Sequence, residues 1–462
     1  MSSLNTLFSL NDLLVDETDA VLNKALSAGY ETDALRMQGG RALIPEDIEA
    51  TMYSVMEAEQ EDCKFINMLD KITVGSTVHT YNRRLGVGGY ENLVVEEGGA
   101  SETNDQDIKR VVVSIKYIQD RRAITDQMAK VRSFEDVYNS EKTAGTLNVL
   151  KAAEMLCFHG NEDVNPLEFD GVIRQIEKSP NPNIVDVRGK TIATLGDSVI
   201  TDPVRQINER GGRGDKLFMP YVLVQDIQDL AKDRMRFTPG GSSMAFVMDQ
   251  YPTAYGSSVY FGKEAGGDRL FKPKGEIKEG MNPKRPKRPH NVNYSTTSAS
   301  NSKFGSSDAG VYKYRVHAIN RYGISQYYGE SAVSVGAGQK VIISITADSG
   351  SDETGYIICR TTKNGSTCME MTRVPRNMSG ATVFEDINED LPGTASMVLV
   401  TDHKIQPMLA WLQLCPISIR PLSPFNRAET PFLVQFFGAL DVKAPHWCAL
   451  VKNIQYRGGL KY

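Results

Sequence analysis

A series of short alternating runs after residue 310 constrains the fold of this chain more than any other feature. The runs VYKYRVHAINRYGIS, GQKVIISITA, GYIICR and VFED have the period of β-strands and are separated by turn residues. A Pro-rich segment, 282–290, precedes them, and segments of mixed helical and strand period lie on both sides. The sequence therefore predicts an α+β protein that carries an inserted all-β sandwich.

Two further alternating runs, 72–80 and 111–117, predict an extended hairpin near the N-terminus. About thirty Gly-rich and charged residues separate them, and a connection of that length is uncommon inside a compact domain. We therefore expect the hairpin to project from the body of the protein.

Helical periodicity appears in residues 7–26, 46–69 and 133–158. The third helix begins at a capping-box pattern, Ser133 to Asp136, and ends near Gly160, where His159 is expected to interact as a cation with the helix dipole. The run LFMPYVLV (217–224) predicts a buried strand, and a helix after it would place Ile227, Leu230, Ala231 and Met235 on one face.

Composition excludes several classes of protein. The net charge of −5 argues against binding nucleic acid through overall charge, and no apolar run is long enough to span a membrane. The N-terminal segment lacks the basic region of a secretory signal. Six cysteines without a CxxC pair argue against zinc, although a disulfide between Cys359 and Cys368 across a hairpin is a minor alternative.

No catalytic motif is present. The sequence lacks a GxSxG turn, and its six histidines are isolated. The carboxylates of residues 162–170 allow an acid–base pair, but a solvated helix exit followed by a turn is the favoured interpretation. The basic run 272–290 suggests either a solvated linker or a phosphate contact. We expect no enzyme activity, no catalytic residue, no metal site and no cofactor.

Two motifs resemble the major capsid proteins of tailed bacteriophages, and most closely those of large contractile-tailed phages of the Twort-like group. The first is the helix exit FHGN followed by LEFDGV, similar to the family's "EFDGL". The second resembles a C-terminal pattern YGAL, APxxWA and IKNVxY, with Cys448 inserted so that the spacing slips by one. The matching residues are Gly160, Phe169, Asp170, Gly171, Gly438, Ala444, Pro445, Trp447, Lys452, Asn453 and Tyr456.

The resemblance implies a Hong Kong 97-type capsid fold. The expected divisions are an N-terminal arm (1–70), an extended-loop hairpin (71–120), a peripheral domain with the spine helix (121–165), an axial domain (166–282 and 400–430), an inserted sandwich (283–399) and peripheral C-terminal strands (431–462). Some relatives lose an N-terminal segment, and Ile44-Pro45-Glu46 fits a loose cleavage pattern, but we expect an arm that is retained.

The resemblance also implies a function and partners. The chain would assemble as hexamers and pentamers into an icosahedral shell around double-stranded DNA, with weak non-specific DNA contact. Its partners would be scaffold, portal and possibly decoration proteins, with no membrane, and it would assemble in the host cytoplasm and reside in the virion capsid. The alternatives are a tail or baseplate protein with an adhesive β module, and a hydrolase with a fibronectin-like module.

The inserted module carries a second resemblance. Tyr314, Val316, Ala318, Asn320, Gly323 and Ser325 resemble the late F-strand signature of fibronectin type III domains. The runs that resemble early strands come after it, so we expect a circularly permuted sandwich with the F–G hairpin first. We place the module on the outer surface, either as a decoration or glycan-binding platform or as a cover over lattice gaps.

Overall fold

The computed structural model describes residues 63–86, 93–97, 99–100, 103, 105–130, 136–231, 250–253, 255, 258–260, 266–401, 408–424 and 428–462. The expected helix 7–26, most of 46–69, the capping-box residues 133–135, the cleavage pattern at 44–46, Met235 and part of the hairpin tip lie outside these ranges. The chain divides into two units, 1–55 with 132–136 and 56–131 with 137–462, and the architecture below is that of the second.

The described helices and strands are named here in chain order. The helices are α1 Lys64–Met68, α2 Asp126–Lys130, α3 Val137–His159, α4 Val172–Glu177, α5 Ile192–Leu195, α6 Ser198–Glu209 and α7 Tyr221–Ala231. The strands are β1 Asp70–Thr73, β2 Val78–Gly86, β3 Asp107–Ser114, β4 Lys116–Thr125, β5 Ile184–Asp186, β6 Gly214–Pro220, β7 Gln250–Pro252, β8 Ser258–Tyr260, β9 Gly266–Asp268, β10 Asn291–Ser298, β11 Gly310–Asn320, β12 Gly323–Val335, β13 Gln339–Thr346, β14 Gly355–Arg360, β15 Met369–Pro375, β16 Thr382–Asp386, β17 Ala395–Thr401, β18 Leu409–Pro421, β19 Glu429–Val442 and β20 Ala449–Ile454.

The first sheet has the order β1-β18-β19-β4, and the long helix α3 packs against β4 and β19. The buried face of α3 presents Val149, Ala153, Cys157 and Phe158 to this sheet. Gly145 allows the close approach of helix and strand, because a Cβ there would lie 2.9 Å from a methyl group of Val434. The expected long helix is therefore present from residue 137, and it ends one residue later than expected.

The second sheet has the order β5-β20-β17-β6-β8-β7, with β9 also paired to β6. Helix α6 buries Val199, Val204 and Ile207 against it, together with Ile227 of α7. The expected strand 217–224 is shorter than the sequence suggests. Pro220 ends it, because proline has no N–H to donate to a ladder, and α7 begins at Tyr221.

Residues 291–386 form two further sheets, of order β10-β13-β16 and β12-β11-β14-β15, that enclose their own apolar core. Strands β11 and β12 form a hairpin, and β11 is an inner strand that also pairs with β14. Strand β10 comes before this hairpin, so the expectation that the hairpin is the first pair of strands of the module was wrong. The kinship of this sandwich with fibronectin-like modules stays a prediction.

The extended hairpin consists of β2 and β3, paired from Val78↔Ser114 to Gly86↔Asp107. The expected runs are each divided in the structure. Ile72 belongs to β1, which pairs in parallel with β18, and the chain turns at Ile115 before β4 begins.

The observed strand pairing does not follow the expected boundary between the axial segment (400–430) and the peripheral C-terminal strands (431–462). Strand β18, expected with the axial segment, pairs with β19 and lies in the sheet of α3. Strand β20, expected with the peripheral strands, pairs with β17 and β5 in the second sheet. This arrangement depends on which strands pair across hundreds of residues. The alternation within one strand does not indicate its partner strand.

None of the described helices is both long and apolar enough to cross a membrane.

Candidate functional site

The exit of α3 is built around two glycines that let two backbone segments touch. Gly160 N–H donates to Leu156 O, and Gly171 N–H donates to Gly160 O, each at 2.9 Å. A Cβ on Gly160 would collide with the Phe169 carbonyl oxygen, and one on Gly171 would lie 2.7 Å from the Phe158 oxygen. The motif glycines are thus required by close backbone packing where the chain returns along the end of the helix.

The four carboxylates of the 161–170 loop all have partners. The partners are Lys116 for Glu162 (2.7 Å), Arg174 and Lys178 for Asp163 (both 2.9 Å), Asn165 for Glu168 (2.9 Å) and Lys178 for Asp170 (2.6 Å). Partial burial acts to raise the pKa of Asp163, but hydrogen bonds from Lys178 and Arg174 outweigh it and lower that pKa. These contacts hold the loop together, which favours the helix-exit interpretation over an acid–base pair.

His159 does not act as a cation at the end of α3, and that expectation was wrong. Its Nε2 accepts the Lys272 N–H at 3.0 Å, and its ring lies edge-on to Phe271. Burial lowers the pKa of His159 to about 4, with further lowering by Arg373 and Lys272. The neutral imidazole therefore joins the helix end to the chain that leads into the sandwich.

Phe169 connects this loop to the first sheet through Trp411. The rings of Phe169 and Trp411 meet edge to face at 5.5 Å between centroids, and Trp411 stacks on Phe436 at 4.9 Å. Gly438 makes room for the indole, because a Cβ there would lie 2.5 Å from Trp411 Cε2. The structure thus brings together residues of the two sequence motifs, with Trp411 between them.

Gln175 of α4 ties the same loop to β19 and was missed in the sequence. Its Nε2 donates to Asp170 O at 2.7 Å and to Leu440 O at 2.9 Å, and its Oε1 accepts the Val442 N–H at 3.0 Å. It lies four residues after Gly171, but no residue pattern signals that its amide would bond a distant strand.

The remaining C-terminal motif residues lie beside the second sheet. A 3-10 turn, Pro445–Trp447, follows Ala444, and Trp447 Nε1 donates to Arg210 O at 2.9 Å. Asn453 has a φ of 63°, and its side chain donates to Asp186 Oδ1 at 2.7 Å and accepts the Leu391 N–H at 2.9 Å.

Lys452 and Tyr456 complete the motif. Lys452 lies 3.0 Å from a Glu389 carboxylate oxygen, which ties β20 to the segment that follows the sandwich. Tyr456 packs partly buried against the core of the second sheet. The C-terminal motif therefore contacts both sheets. Gly438 contacts the first sheet, and the residues from Trp447 onward lie in or beside the second.

Comparison with known proteins places these motifs in context. No protein-family model matches the chain. It is 23% identical over 454 residues to a putative major capsid protein of Enterococcus phage phiEF24C, covering 94% of both chains. It is 24% identical over 417 residues to the major capsid protein of Staphylococcus phage S25-3, covering 86% of this chain and 87% of the relative. The chain is thus similar in sequence to phage major capsid proteins over most of its length.

Two solved capsid structures have some likeness to this chain. The capsid of a native GTA particle aligns with 92% of this chain and 100% of its own, at 8% identity and a TM-score of 0.45. The phage G major capsid protein, solved with decoration proteins, aligns with 92% and 100% at 8% identity and a TM-score of 0.42. At these scores the likeness does not establish a shared fold.

The hairpin β2–β3 is fastened to the body by a polar contact that sequence reasoning missed. Tyr81 Oη donates to Asp441 Oδ1 at 2.9 Å, and Arg83 donates to Tyr81 Oη at 3.0 Å and to Val442 O at 3.2 Å. Burial raises the pKa of Tyr81 to about 12 and also raises the pKa of Asp441. The contact holds the separate two-stranded ribbon of β2 and β3 against the end of β19.

A buried carboxyl group of α3 holds the short helix α1 in place. Glu154 of α3 is fully buried, and its two oxygens accept the Phe65 and Ile66 N–H groups, both at 2.8 Å. Burial raises the pKa of Glu154 well above its usual range, and the hydrogen-bonded Asp268 raises it further. Residue 154 caps α1 from 88 positions away along the chain.

The signature residues of the sandwich divide between its core and one turn. Tyr314, Val316 and Ala318 are fully buried in the core. Tyr314 Oη donates to Asp386 at 2.8 Å, and the same carboxylate pairs with the buried Arg360 at 2.6 Å.

The turn between β11 and β12 is held by the other three signature residues. Asn320 Oδ1 accepts the N–H groups of Tyr322 and Gly323, and Gly323 has a φ of 147°. Ser325 Oγ accepts the Ala318 N–H at 2.8 Å. These contacts shape a tight hairpin turn, and nothing in them indicates a ligand.

Other expected features have structural outcomes as well. Cys359 and Cys368 are buried free thiols. Lys274, Arg285 and Lys287 of the basic run each lie 3.5 Å from a carboxylate, at Asp390, Glu279 and Asp348. These pairs support the linker interpretation, while phosphate contact stays a prediction. In the described part of the chain, no three His, Cys, Asp or Glu residues are grouped to hold a metal ion.

Proposed function

We propose that this chain is the major capsid protein of a tailed phage, assembling as hexamers and pentamers into an icosahedral shell around double-stranded DNA. The observation that carries the proposal is the relation to a capsid protein over 94% of both chains. A relation of that extent includes the sandwich as well as the body, so the whole chain shares the ancestry. Scaffold, portal and decoration proteins, a virion location and weak DNA contact follow as parts of the same proposal.

The proposed organisation is the Hong Kong 97 type. The hairpin β2–β3 would be the extended loop, α3 the spine helix and the sandwich an inserted immunoglobulin- or fibronectin-like module. A paired ribbon fastened at Tyr81 and a long helix packed on a sheet support this assignment. Residues 1–70 would form the arm, which we propose is retained.

The module would be a permuted fibronectin-like sandwich. Strand β11 lies between β12 and β14, as an F strand lies between G and C, and β13 pairs with β10 and β16, as B pairs with A and E. The hairpin β11–β12 precedes β13 to β16 in the chain but follows β10, so the strand order supports a rearranged module and not a simple circular permutation. The module would face outward, as a glycan-binding platform or as a cover over lattice gaps.

A non-enzymatic role fits the geometry of the 161–170 loop. Each carboxylate there is held by a lysine, an arginine or an amide, so the groups serve packing. A tail or baseplate role is the alternative, and a hydrolase is the more distant one. Relatives named as capsid proteins, matched over most of their length, favour the shell.

Electron microscopy of the recombinant full-length chain, produced with its scaffold and protease neighbours, tests the proposal. We expect closed shells or rings of five and six copies. Open tubes would instead support a tail component, and soluble monomers with hydrolytic activity that depends on residues 162–170 would support an enzyme.

A pair of matched variants identifies the surface that drives assembly. Val112 on the hairpin and Val383 on the sandwich are both 58% exposed. We expect Val112→Asp to stop shell formation, because a charge there would be buried between subunits. Val383→Asp should leave shell formation unchanged, and equal effects would contradict a role for the hairpin in assembly.

A further inference from the structure

Strand β10 leaves one edge of the sandwich without a partner strand. It pairs with β13 on one side over eight residues, from Asn291↔Thr346 to Ser298↔Gln339, without a register shift. It is the end strand of its sheet. A regular unpaired edge presents a row of backbone N–H and C=O groups, which is a template for a further strand.

The second half of β10 extends beyond the sandwich core. Val292 is buried, and Tyr294 is partly buried against the core. Thr296 and Ser298 lie on that same face of the strand, but both are exposed, as are Ser295 and Thr297. At the other end, Tyr328 Oη donates to Asn291 Oδ1 at 3.1 Å, so β12 lies near the first residues of the strand. Residues 295–298 are therefore the accessible part of the edge.

The composition of this edge is unusual for the chain. Residues 291–302, NVNYSTTSASNS, contain no charged residue, although 24% of the whole sequence is charged. Natural edge strands are commonly protected from pairing by charges, bulges or prolines. None of these devices is present in β10.

The other three edges of the sandwich differ. Strand β16 is short and carries Glu385, which pairs with Lys340 at 2.7 Å. Strand β12 carries Glu330, and its pairing with β11 contains two register shifts. Strand β15 carries Glu370, whose N–H is already bonded to Gly275 O at 2.9 Å. Of the four sheet edges of the module, only the β10 edge therefore lacks a feature that protects it from pairing with a further strand.

We propose that β10 is an interaction surface whose partner is β10 of a second copy of this chain, paired antiparallel across a two-fold axis. A two-fold contact brings identical surfaces together. An uncharged Ser/Thr strand meets itself without like-charge repulsion, and opposed Ser and Thr side chains hydrogen-bond across antiparallel strands. The two three-stranded sheets join into one sheet of six strands. This pairing is not part of the proposed function. It rests on the proposed shell in one respect, because a shell would bring many copies of the chain together.

Single cysteines along the edge test the pairing in the full-length chain. Ser295, Thr296, Thr297 and Ser298 are each changed to Cys, and disulfide-linked dimers are measured on non-reducing gels from free subunits and from assembled particles. Only residues at or beside the two-fold axis approach within disulfide distance of their own copies, about 4.4–6.8 Å between Cα atoms. We expect a sharp maximum at one or two neighbouring positions. Val383→Cys and the unsubstituted chain are the controls, and neither should form the dimer.

Charge reversal establishes that the partner is the same strand. The cysteine at the maximum is combined with Lys or Asp at the exposed neighbour, Thr296 or Thr297. Each charged variant alone should lose the dimer, and mixing the Lys and Asp subunits should restore it. Loss without rescue on mixing would overturn self-pairing in favour of a different strand as the partner.

The outcomes separate this inference from the proposed function. Shells without a β10 disulfide overturn the pairing and leave the capsid proposal intact. A β10 disulfide in a chain that forms no shells supports the pairing and contradicts the capsid proposal. Equal dimer formation at Val383→Cys, or its absence at every β10 position in both subunits and particles, contradicts the inference.

Discussion

Tyr81 of the hairpin donates a hydrogen bond to Asp441 of the first sheet across 360 residues of sequence, at 2.9 Å. Asp441 is 1% exposed, and its Oδ2 has no partner among the described residues. A two-stranded ribbon is only marginally stable by itself, so its orientation depends on such contacts with the body.

Removal of the phenol should loosen the hairpin. We expect Tyr81→Phe to destabilise the protein by about 1–3 kcal/mol, because it leaves a buried carboxyl group without its donor. Hydrogen exchange should rise in β2 and β3 and stay unchanged in α3. Tyr117→Phe, at an exposed tyrosine of β4, is the control, and equal exchange in the two variants would contradict an anchoring role.

The two glycines at the exit of α3 should not tolerate a side chain. We expect Gly171→Ala to cost more than about 3 kcal/mol, since its Cβ would lie 2.7 Å from a backbone oxygen that cannot move freely. Chemical denaturation of the full chain measures this. Gly380→Ala is the matched control, because no atom lies within 4 Å of the position of its Cβ. A change of similar size in the control would show that the close approach is not the cause.

The buried Glu154 should make stability depend on pH. Its pKa is raised in the folded protein, so its contribution is fully present below the ordinary pKa of a glutamate and is lost as pH rises through the folded value. Each unit of upward shift costs about 1.4 kcal/mol once both forms are ionised. We expect Glu154→Gln to remove part of this loss, because an amide stays neutral, accepts an N–H and donates to Asp268.

Unfolding free energies measured from below the ordinary pKa of a glutamate to alkaline pH check this expectation. Glu162→Gln, at a half-buried carboxylate of the 161–170 loop, serves as the control. A Glu154→Gln slope equal to that of the parent would show that Glu154 does not titrate with unfolding.

The buried ion pair of the sandwich should matter more than its surface pairs. Asp386→Asn leaves Arg360 without its counter-charge, and breaking a buried pair costs about 3–5 kcal/mol. Glu385→Gln breaks the exposed pair with Lys340 and should cost less than about 1 kcal/mol. Chemical denaturation of the full chain measures both losses, and similar losses in the two variants would contradict the difference.

Local periodicity predicted the elements whose pattern is long and regular. The helix from 137 and the strands of the sandwich follow directly from spacings of 3.6 and 2, and the projecting hairpin follows from two alternating runs around a polar connection. The predicted helix exit near Gly160 is where α3 ends. Each of these depends on residues near one another in sequence.

The features that the sequence did not reveal depend on contacts between residues that are far apart in the chain. The polar Glu154 gives no sign of its role, because the N–H groups that it caps belong to residues 65 and 66. His159 was assigned a charge from its place in a helix, and burial against Phe271 decides otherwise. The sequence does not indicate the partners of β18 and β20, because alternation shows that a strand exists and not which strand it joins.

The sandwich begins and ends beside the same strand of the body. Strand β9, before it, and β17, after it, pair with opposite sides of β6. The two attachment points are therefore separated by about two interstrand spacings, or roughly 10 Å. A gap of that size can be closed by a short loop, so the module can be removed and the chain rejoined across the gap. Proteins built on this body can gain, lose or exchange the module in evolution, and an engineer can replace it with a foreign domain whose ends lie equally close.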